Sequence, residues 1–355
     1  MNQRYWSSRI QGLVPYTPGE QPKDRTFIKL NTNENPYPPS PRVLEAIRRE
    51  ADQRLRLYPD PESAALRGAL AEHYGVEPEQ VFCGNGSDEV LGLCFYALFS
   101  PGRKVVFPDI TYSFYPVYTE LFGLDYEEIP LNEDFTLPVE RFLGGNGGAV
   151  ICNPNAPTGR ALPLSDIRRI VEDNPAAAVL VDEAYADFGA QSAVELIDQY
   201  PNLVVVRTLS KSRSLAGLRV GYAMGSAGLM AALNCVKNSF NSYPLDRLAQ
   251  AAGEAAVRDT AYFEETRGKI MATRTWVTHR LREMGFQVHD SSSNFLFIAH
   301  PDHSGRVLQQ GLRDRGVLVR RFERPRIQDH LRVSIGTDEE MEAMCRAMEE
   351  ILKGQ

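Results

Sequence analysis

The sequence predicts an α/β protein: a large domain with a mostly parallel central sheet between helices, a small α+β domain, and an N-terminal arm. Three observations predict it. Short, β-branched apolar runs alternate with amphipathic stretches of about ten to fifteen residues through the middle of the chain, the pattern of strands joined by crossover helices. A long helical pattern then covers 244–281, followed by three more strand candidates with helices between them. The 355 residues exceed one ordinary domain and suffice for a large core.

Taken in chain order, residues 1–44 are rich in Pro, Asn and Tyr and read as an arm that packs on a neighbour, with part of the small domain. Residues 45–245 form the large domain, with strands expected at 80–83, 104–107, 125–129, 148–153, 178–182, 203–208 and 220–224, most of them apolar on both faces. Residues 246–355 supply a linking helix and the C-terminal small domain, with strands at 294–299, 317–322 and 331–336.

Composition narrows the function classes. Apolar residues at 43% and charged residues at 24% give the balance of a globular protein rather than a disordered or membrane chain. A net charge of −7 argues against nucleic acid as a partner, because phosphate backbones demand a basic face. No apolar run is long enough for a transmembrane helix, so no membrane association is expected. Arg4, Arg9 and Pro15 interrupt any signal-peptide core, and the five cysteines are scattered without a C-x-x-C pair. A cytoplasmic protein with reduced thiols is expected. The six histidines lack H-E-x-x-H or similar spacing, so no metal is expected.

In open α/β sheets ligands bind beyond the carboxyl ends of the strands, so polar residues that follow apolar runs are the first candidates for chemistry. Gly84-Asn85-Gly86-Ser87-Asp88-Glu89 leads straight into a helical pattern, where backbone N–H groups converge on an anion; a capped turn is the alternative. Asp182 ends an all-apolar run, and burying it calls for a cation or hydrogen bonds; a protonated pyridine nitrogen is such a cation, and a helix N-cap is the alternative. Tyr185 lies three residues on, within reach of the same ligand or in the core.

Lys211 follows the apolar run 204–209. A lysine delivered by a buried strand is desolvated, loses its proton near neutral pH and attacks an aldehyde. Most strand-end lysines simply face water, so the reading rests on the neighbours of Lys211. Arg219, eight residues later, returns to a phosphate as a bidentate donor or forms a surface ion pair. Together these residues supply a phosphate cradle, a carboxylate, a phenol, an amine and a guanidinium, which is what pyridoxal 5'-phosphate needs.

Their order resembles that of the fold-type I aminotransferases, with Thr208-Leu209-Ser210-Lys211-Ser212 and 215–221 similar to that family's lysine segment. Leu30-Asn31-Thr32-Asn33-Glu34-Asn35-Pro36, Leu57-Tyr58-Pro59 and Gly86-Ser87-Asp88-Glu89 narrow the resemblance to the histidinol-phosphate aminotransferases, over nearly the whole chain. The resemblance implies that Lys211 forms the Schiff base, Asp182 pairs with the pyridine nitrogen and Tyr185 contacts the phenolic oxygen. It also implies that Tyr112 stacks on the ring and that Gly86, Ser87, Asp88, Ser210 and Arg219 form the phosphate site. Tyr16, Asn33, Arg320 and Arg332 would contact substrate, the two arginines reading its phosphate. Tyr58 would reach the neighbouring site across a homodimer interface. One departure stands out: the family usually has Asn directly before Pro-Thr-Gly, where this chain has Ala156. Asn155 is the substitute expected here, with Asn153 or a turn role as alternatives.

The implied reaction is amino transfer between histidinol phosphate and 2-oxoglutarate. Rivals of the same fold are a threonine-phosphate decarboxylase and an aromatic aminotransferase; a catalytically silent cofactor-binding protein is the rival outside catalysis.

Overall fold

The computed structural model describes residues 4–17, 19–22, 25–145 and 147–354. Its strands are β1 (Ile28–Leu30), β2 (Val81–Asn85), β3 (Val105–Pro108), β4 (Tyr126–Ile129), β5 (Gly148–Cys152), β6 (Val179–Asp182), β7 (Leu203–Thr208), β8 (Val220–Gly225), β9 (Gln287–Val288), β10 (Phe295–Ala299), β11 (Val317–Arg321) and β12 (Leu331–Ser334). The helices are α1 (Pro41–Glu50), α2 (Ala64–Tyr74), α3 (Gly86–Leu98), α4 (Tyr115–Phe122), α5 (Leu164–Asp173), α6 (Ala227–Phe240), α7 (Arg247–Arg258), α8 (Thr260–Glu283), α9 (Gly305–Asp314) and α10 (Asp338–Leu352).

Seven strands form the large sheet in the order β2-β8-β7-β6-β5-β3-β4, with β8 antiparallel to both neighbours and the other pairings parallel. Strand alternation sends side chains into two cores, one on each face. On β5, Val150 and Cys152 pack with Phe95, Phe107 and Tyr115, whereas Ala149 and Ile151 pack with Ile167 and Val171. The first core runs on through Ile270, Val277 and Leu281 of α8 into Phe295, Ile298 and Val333 of the second sheet and Leu308 of α9. That second sheet has the order β1-β11-β12-β10-β9.

The expected strands of the large sheet all form, each within two residues of its expected ends at the C-terminal side and one at the other. Two features differ. The helical pattern over 244–281 divides into α7 and α8 at Asp259, which leaves the helical region (φ −88°, ψ 67°) while its carboxylate accepts a hydrogen bond from Ser40 at the start of α1. The Pro-rich N-terminal stretch contributes β1, which pairs in parallel with β11. Among the described residues no helix is long and apolar enough to cross a membrane.

Gly221 on β8 fixes how closely α3 approaches the sheet. A Cβ there would lie 2.3 Å from the Gly86 carbonyl carbon and 2.4 Å from the Ser87 nitrogen. Gly86 itself has φ +80°, a left-handed conformation that L side chains resist. Both glycines let the first turn of α3 lie against β8.

In the small domain His289 and His330 share one Nε2···Nε2 hydrogen bond of 3.3 Å, and His330 stacks on Phe297 at 4.5 Å. Burial, aided by His289, pushes His330 from its ordinary 6.5 down to about 4. The unfolded chain therefore binds a proton as pH falls below 6.5 while the folded chain does not until about 4. Stability contributed by neutral His330 is lost across that window. Scanning fluorimetry of wild type and His330→Gln between pH 7.5 and 4 should show a smaller loss of Tm below pH 6.5 in the variant; equal losses would contradict this origin.

Candidate active site

A cavity of about 300 Å³ opens where β6 and β7 end, bounded by the first turn of α3, by Tyr16, Gly19 and Gln21, and by the strands β11 and β12. Asp182 is the last residue of β6 and is 3% exposed. Its Oδ2 accepts from the Tyr115 hydroxyl at 2.9 Å and its Oδ1 from the Ala184 N–H at 3.2 Å. Burial pushes its carboxyl up to about 6, and these two hydrogen bonds restrain the rise.

Lys211 stands three residues beyond β7, its Nζ donating to the Thr32 carbonyl at 3.2 Å and lying 5.7 Å from the Tyr185 ring centroid. Burial and the neighbouring Arg332 push its amine down to about 8, against opposing pulls from Glu34 and Asp88. Both groups line one cavity, yet among the described residues no ion pair joins Lys211 to Asp182, nor either of them to a third partner.

Tyr185 is buried, with its ring edge-on to Phe295 at 5.0 Å and its hydroxyl accepting from Asn33 Nδ2 at 3.0 Å. Burial raises its phenol to about 12, so it remains protonated at neutral pH. Asn33 takes the left-handed conformation (φ 57°), which asparagine tolerates. Ser334 of β12 holds both its N–H, at 2.8 Å, and its Oδ1, at 2.9 Å.

At the other end of the cavity, Ser87, Asp88, Ser210 and Arg219 converge. Gly86 lies behind Arg219, where a Cβ would come within 2.5 Å of Nη2. An α-helix leaves the N–H groups of its first turn without intrahelical partners, and those of α3 suit an anion at this end. The Asp88 carboxylate is occupied by Arg219 Nη2 at 2.8 Å and by the Tyr112 hydroxyl at 2.7 Å. It therefore orients an arginine and an aromatic ring. Thr208 donates to Ser210 Oγ at 2.9 Å.

Arg320 and Arg332 sit opposite each other on β11 and β12 and line the same cavity. Arg332 Nη2 donates to the Asn31 carbonyl at 2.9 Å, while its Nε is buried with no hydrogen-bond partner. Two guanidiniums on adjacent strands suit a shared anion. Tyr16 stacks on Phe114 at 4.5 Å and covers the cavity beside Tyr112.

Three expected site residues do not line this cavity: Gly86, which stands behind Arg219, Asn155 and Tyr58. Asn155 faces a neighbouring cavity of about 170 Å³, its amide bonded to the Ile110 carbonyl, Thr111 and Thr158 at 2.8–3.0 Å. Asn153 is likewise engaged with the backbone of Leu162, and the apolar Ala156 lines the main cavity. Tyr58 is 79% exposed and stacks on Tyr243 at 4.7 Å. Conversely, sequence reasoning passed over Tyr115, Phe114 and the Thr32 carbonyl. The aromatic run from Tyr112 to Tyr115, directly after Thr111, was the available signal for the first two.

The family model "Aminotransferase class I and II" matches residues 25–348. The chain is 55% identical to histidinol-phosphate aminotransferase 2 of Burkholderia lata over 352 residues, covering 98% of this chain and 99% of that one. It is 54% identical to histidinol-phosphate aminotransferase 1 of Methylococcus capsulatus over 351 residues, covering 99% and 98%. Its structure matches that of histidinol-phosphate aminotransferase from Sinorhizobium meliloti in complex with pyridoxal-5'-phosphate, with a TM-score of 0.88, 25% identity, and coverage of 99% and 98%.

Tyr115→Phe removes the hydroxyl that donates to Asp182 without changing ring volume. A hydrogen bond to a charged group contributes about 1.5–3 kcal/mol, so the Asp182 carboxyl should titrate about one to two pH units higher. Infrared titration of the buried carboxyl band, with Asp182→Asn as the blank, reads this directly. An unmoved midpoint would remove Tyr115 from the account of Asp182.

Proposed function

Because the chain belongs to the class I and II aminotransferases and, within them, to the histidinol-phosphate aminotransferases, we propose that it transfers an amino group reversibly between L-histidinol phosphate and 2-oxoglutarate. The products are imidazole-acetol phosphate and glutamate, a step of L-histidine biosynthesis. The observation that carries this reading is a half-buried amine and a buried carboxylate in one cavity, unpaired with each other, between an anion-suited helix terminus and two arginines.

The donor set fits pyridoxal 5'-phosphate: an amine for its aldehyde, a carboxylate for its ring nitrogen, a phenol, and a phosphate cradle that a Cβ on Gly86 or Gly221 would fill. When bound, this cofactor supplies an electron sink for negative charge at the substrate Cα. Lys211 is the base whose Nζ takes the proton from that carbon, and an amine brought down to about 8 has an appreciable neutral fraction at physiological pH. Asp182 holds a proton on the ring nitrogen, which its own ionised form favours. Tyr185 donates its hydroxyl proton toward the phenolic oxygen. With Asn155 and Asn153 engaged in their turn, no amide shares that task in this reading.

Ser87, Ser210, Arg219 and the N–H groups of α3 hold the phosphate, and Asp88 contributes by orienting Arg219 and Tyr112. Tyr112 would lie against the cofactor ring. Arg332 and Arg320 receive the phosphate of one substrate and a carboxylate of the other, Tyr16 closes over both, and Asn33 fixes Tyr185 beside them. The exposed apolar surface around Leu57, Tyr58, Phe240 and Tyr243 supports a homodimer, in which Tyr58 would reach the neighbouring phosphate site. A cytoplasmic setting accords with five free cysteines.

Purified protein given histidinol phosphate and 2-oxoglutarate should form glutamate. Lys211→Ala should lower kcat by about 10²–10⁴-fold, the usual contribution of a positioned base. Arg332→Gln should raise KM about ten- to a hundredfold through loss of charge-assisted hydrogen bonds. Carbon dioxide release from threonine phosphate without glutamate formation would overturn the assignment.

A further inference from the structure

Behind the cavity, on the opposite face of the large sheet, lies a group of charges that the chemistry above does not use. Alternation along β6 and β7 sends Asp182 and Thr208 to the cavity face and the next or preceding residues, Glu183 and Arg207, to the back. Arg207 is 4% exposed and its Nη2 donates to Asp187 Oδ1 at 2.5 Å. Glu183 lies 3.8 Å from the same guanidinium and also accepts from Ser192 Oγ and the Ala193 N–H, each at 2.6 Å. Tyr74, His73 and Arg213 complete the surroundings: Arg207 sits over the Tyr74 ring at 5.2 Å, and Arg213 approaches His73 at 3.5 Å.

The second oxygen of Asp187 accepts from the Ser212 hydroxyl. Ser212 is the residue after Lys211. Asp187 lies two residues after Tyr185, in the short helical turn Ala186–Phe188. One carboxylate thus joins the segment that delivers Lys211 to the segment that delivers Asp182 and Tyr185. A further restraint comes from Asn35, whose Nδ2 donates to the carbonyls of Lys211 at 3.0 Å and Ser212 at 3.2 Å. Ser214, in the left-handed region at φ 59°, then turns the chain away. The backbone from which Lys211 extends is therefore held by both Asp187 and Asn35.

We infer that Asp187 and Ser212 are positioning residues for the reaction: the Ser212–Asp187 hydrogen bond, braced by Arg207, holds the Lys211 amine in register with Asp182 and Tyr185. This rests on the assignment of Lys211 as the reacting amine. The bond acts through backbone geometry and contacts neither substrate nor cofactor. Displacement of a reacting group by about 1 Å lowers turnover by about a hundredfold while leaving binding groups elsewhere in place.

Ser212→Ala is the appropriate variant, because it cuts the tie and leaves the Arg207–Asp187 ion pair intact; neutralising Asp187 strands a buried guanidinium. For the holoenzyme, kcat should fall about ten- to a hundredfold with KM for both substrates within about twofold. The pH midpoint of the bound cofactor's visible absorbance, measured without substrate, should shift from the wild-type value, while Tm stays close to it. Ser212→Thr, which restores a hydroxyl, should recover both kcat and the absorbance midpoint. Wild-type kcat and midpoint in Ser212→Ala, or a Ser212→Thr variant as impaired as the alanine, would overturn the inference. A Lys211→Ala protein with the wild-type absorbance titration would instead overturn the assignment of Lys211 itself.

Discussion

An amine and a carboxylate share a cavity of about 300 Å³ without touching, the carboxylate buried at the end of β6 and the amine half-buried just beyond β7. Opposite charges in a low-dielectric space gain greatly from pairing, so a fold that keeps them apart preserves room for a third party. Lys211 leans instead on the Thr32 carbonyl, and Asp182 on Tyr115 and a backbone N–H. Burial brings the amine down to about 8 and the carboxyl up to about 6, so both lie within two units of neutrality. A heteroaromatic ring with a basic nitrogen at one end and an aldehyde at the other meets both demands at once.

The scaffold enforces that separation from a distance. Parallel strands β6 and β7 end side by side, and their alternation divides polar groups between the cavity and the back of the sheet. On the cavity side this gives chemistry; on the back it gives the Arg207–Asp187 pair that ties the two strand-end segments together. Glycines at positions 86 and 221 let α3 start close to β8, so its N-terminus meets the cavity. The second sheet adds Arg320 and Arg332 in one register step, and β1 brings the 31–33 backbone beneath Lys211.

What was legible in the sequence follows physical lines. Asp182 is legible because a carboxylate ending an apolar run is costly to bury unless used, and Lys211 and Arg219 are legible through the residues that accompany them. Most of the large-sheet strands were legible because, apolar on both faces, they admit few other readings; the edge strand β4 is the exception. Tyr115 was not legible, since a buried tyrosine in an aromatic run reads as core until its hydroxyl finds Asp182. The Thr32 carbonyl carries no side-chain signature. The break between α7 and α8 depends on Ser40, more than two hundred residues away from Asp259, and β1 needs β11 to exist. Asn155 shows the limit of motif reading by neighbour, because a one-residue offset turned its amide into the adjoining cavity and left Ala156 at the wall.

The central claim is that burial makes Lys211 the one amine poised to react with an aldehyde at this site. Incubating the protein with pyridoxal 5'-phosphate, reducing with borohydride and mapping the modified peptide by mass spectrometry tests it most directly. The account predicts a stoichiometric adduct on Lys211, absent after Lys211→Ala. An adduct distributed over exposed lysines such as Lys104 and Lys269, with Lys211 unmodified, would contradict it.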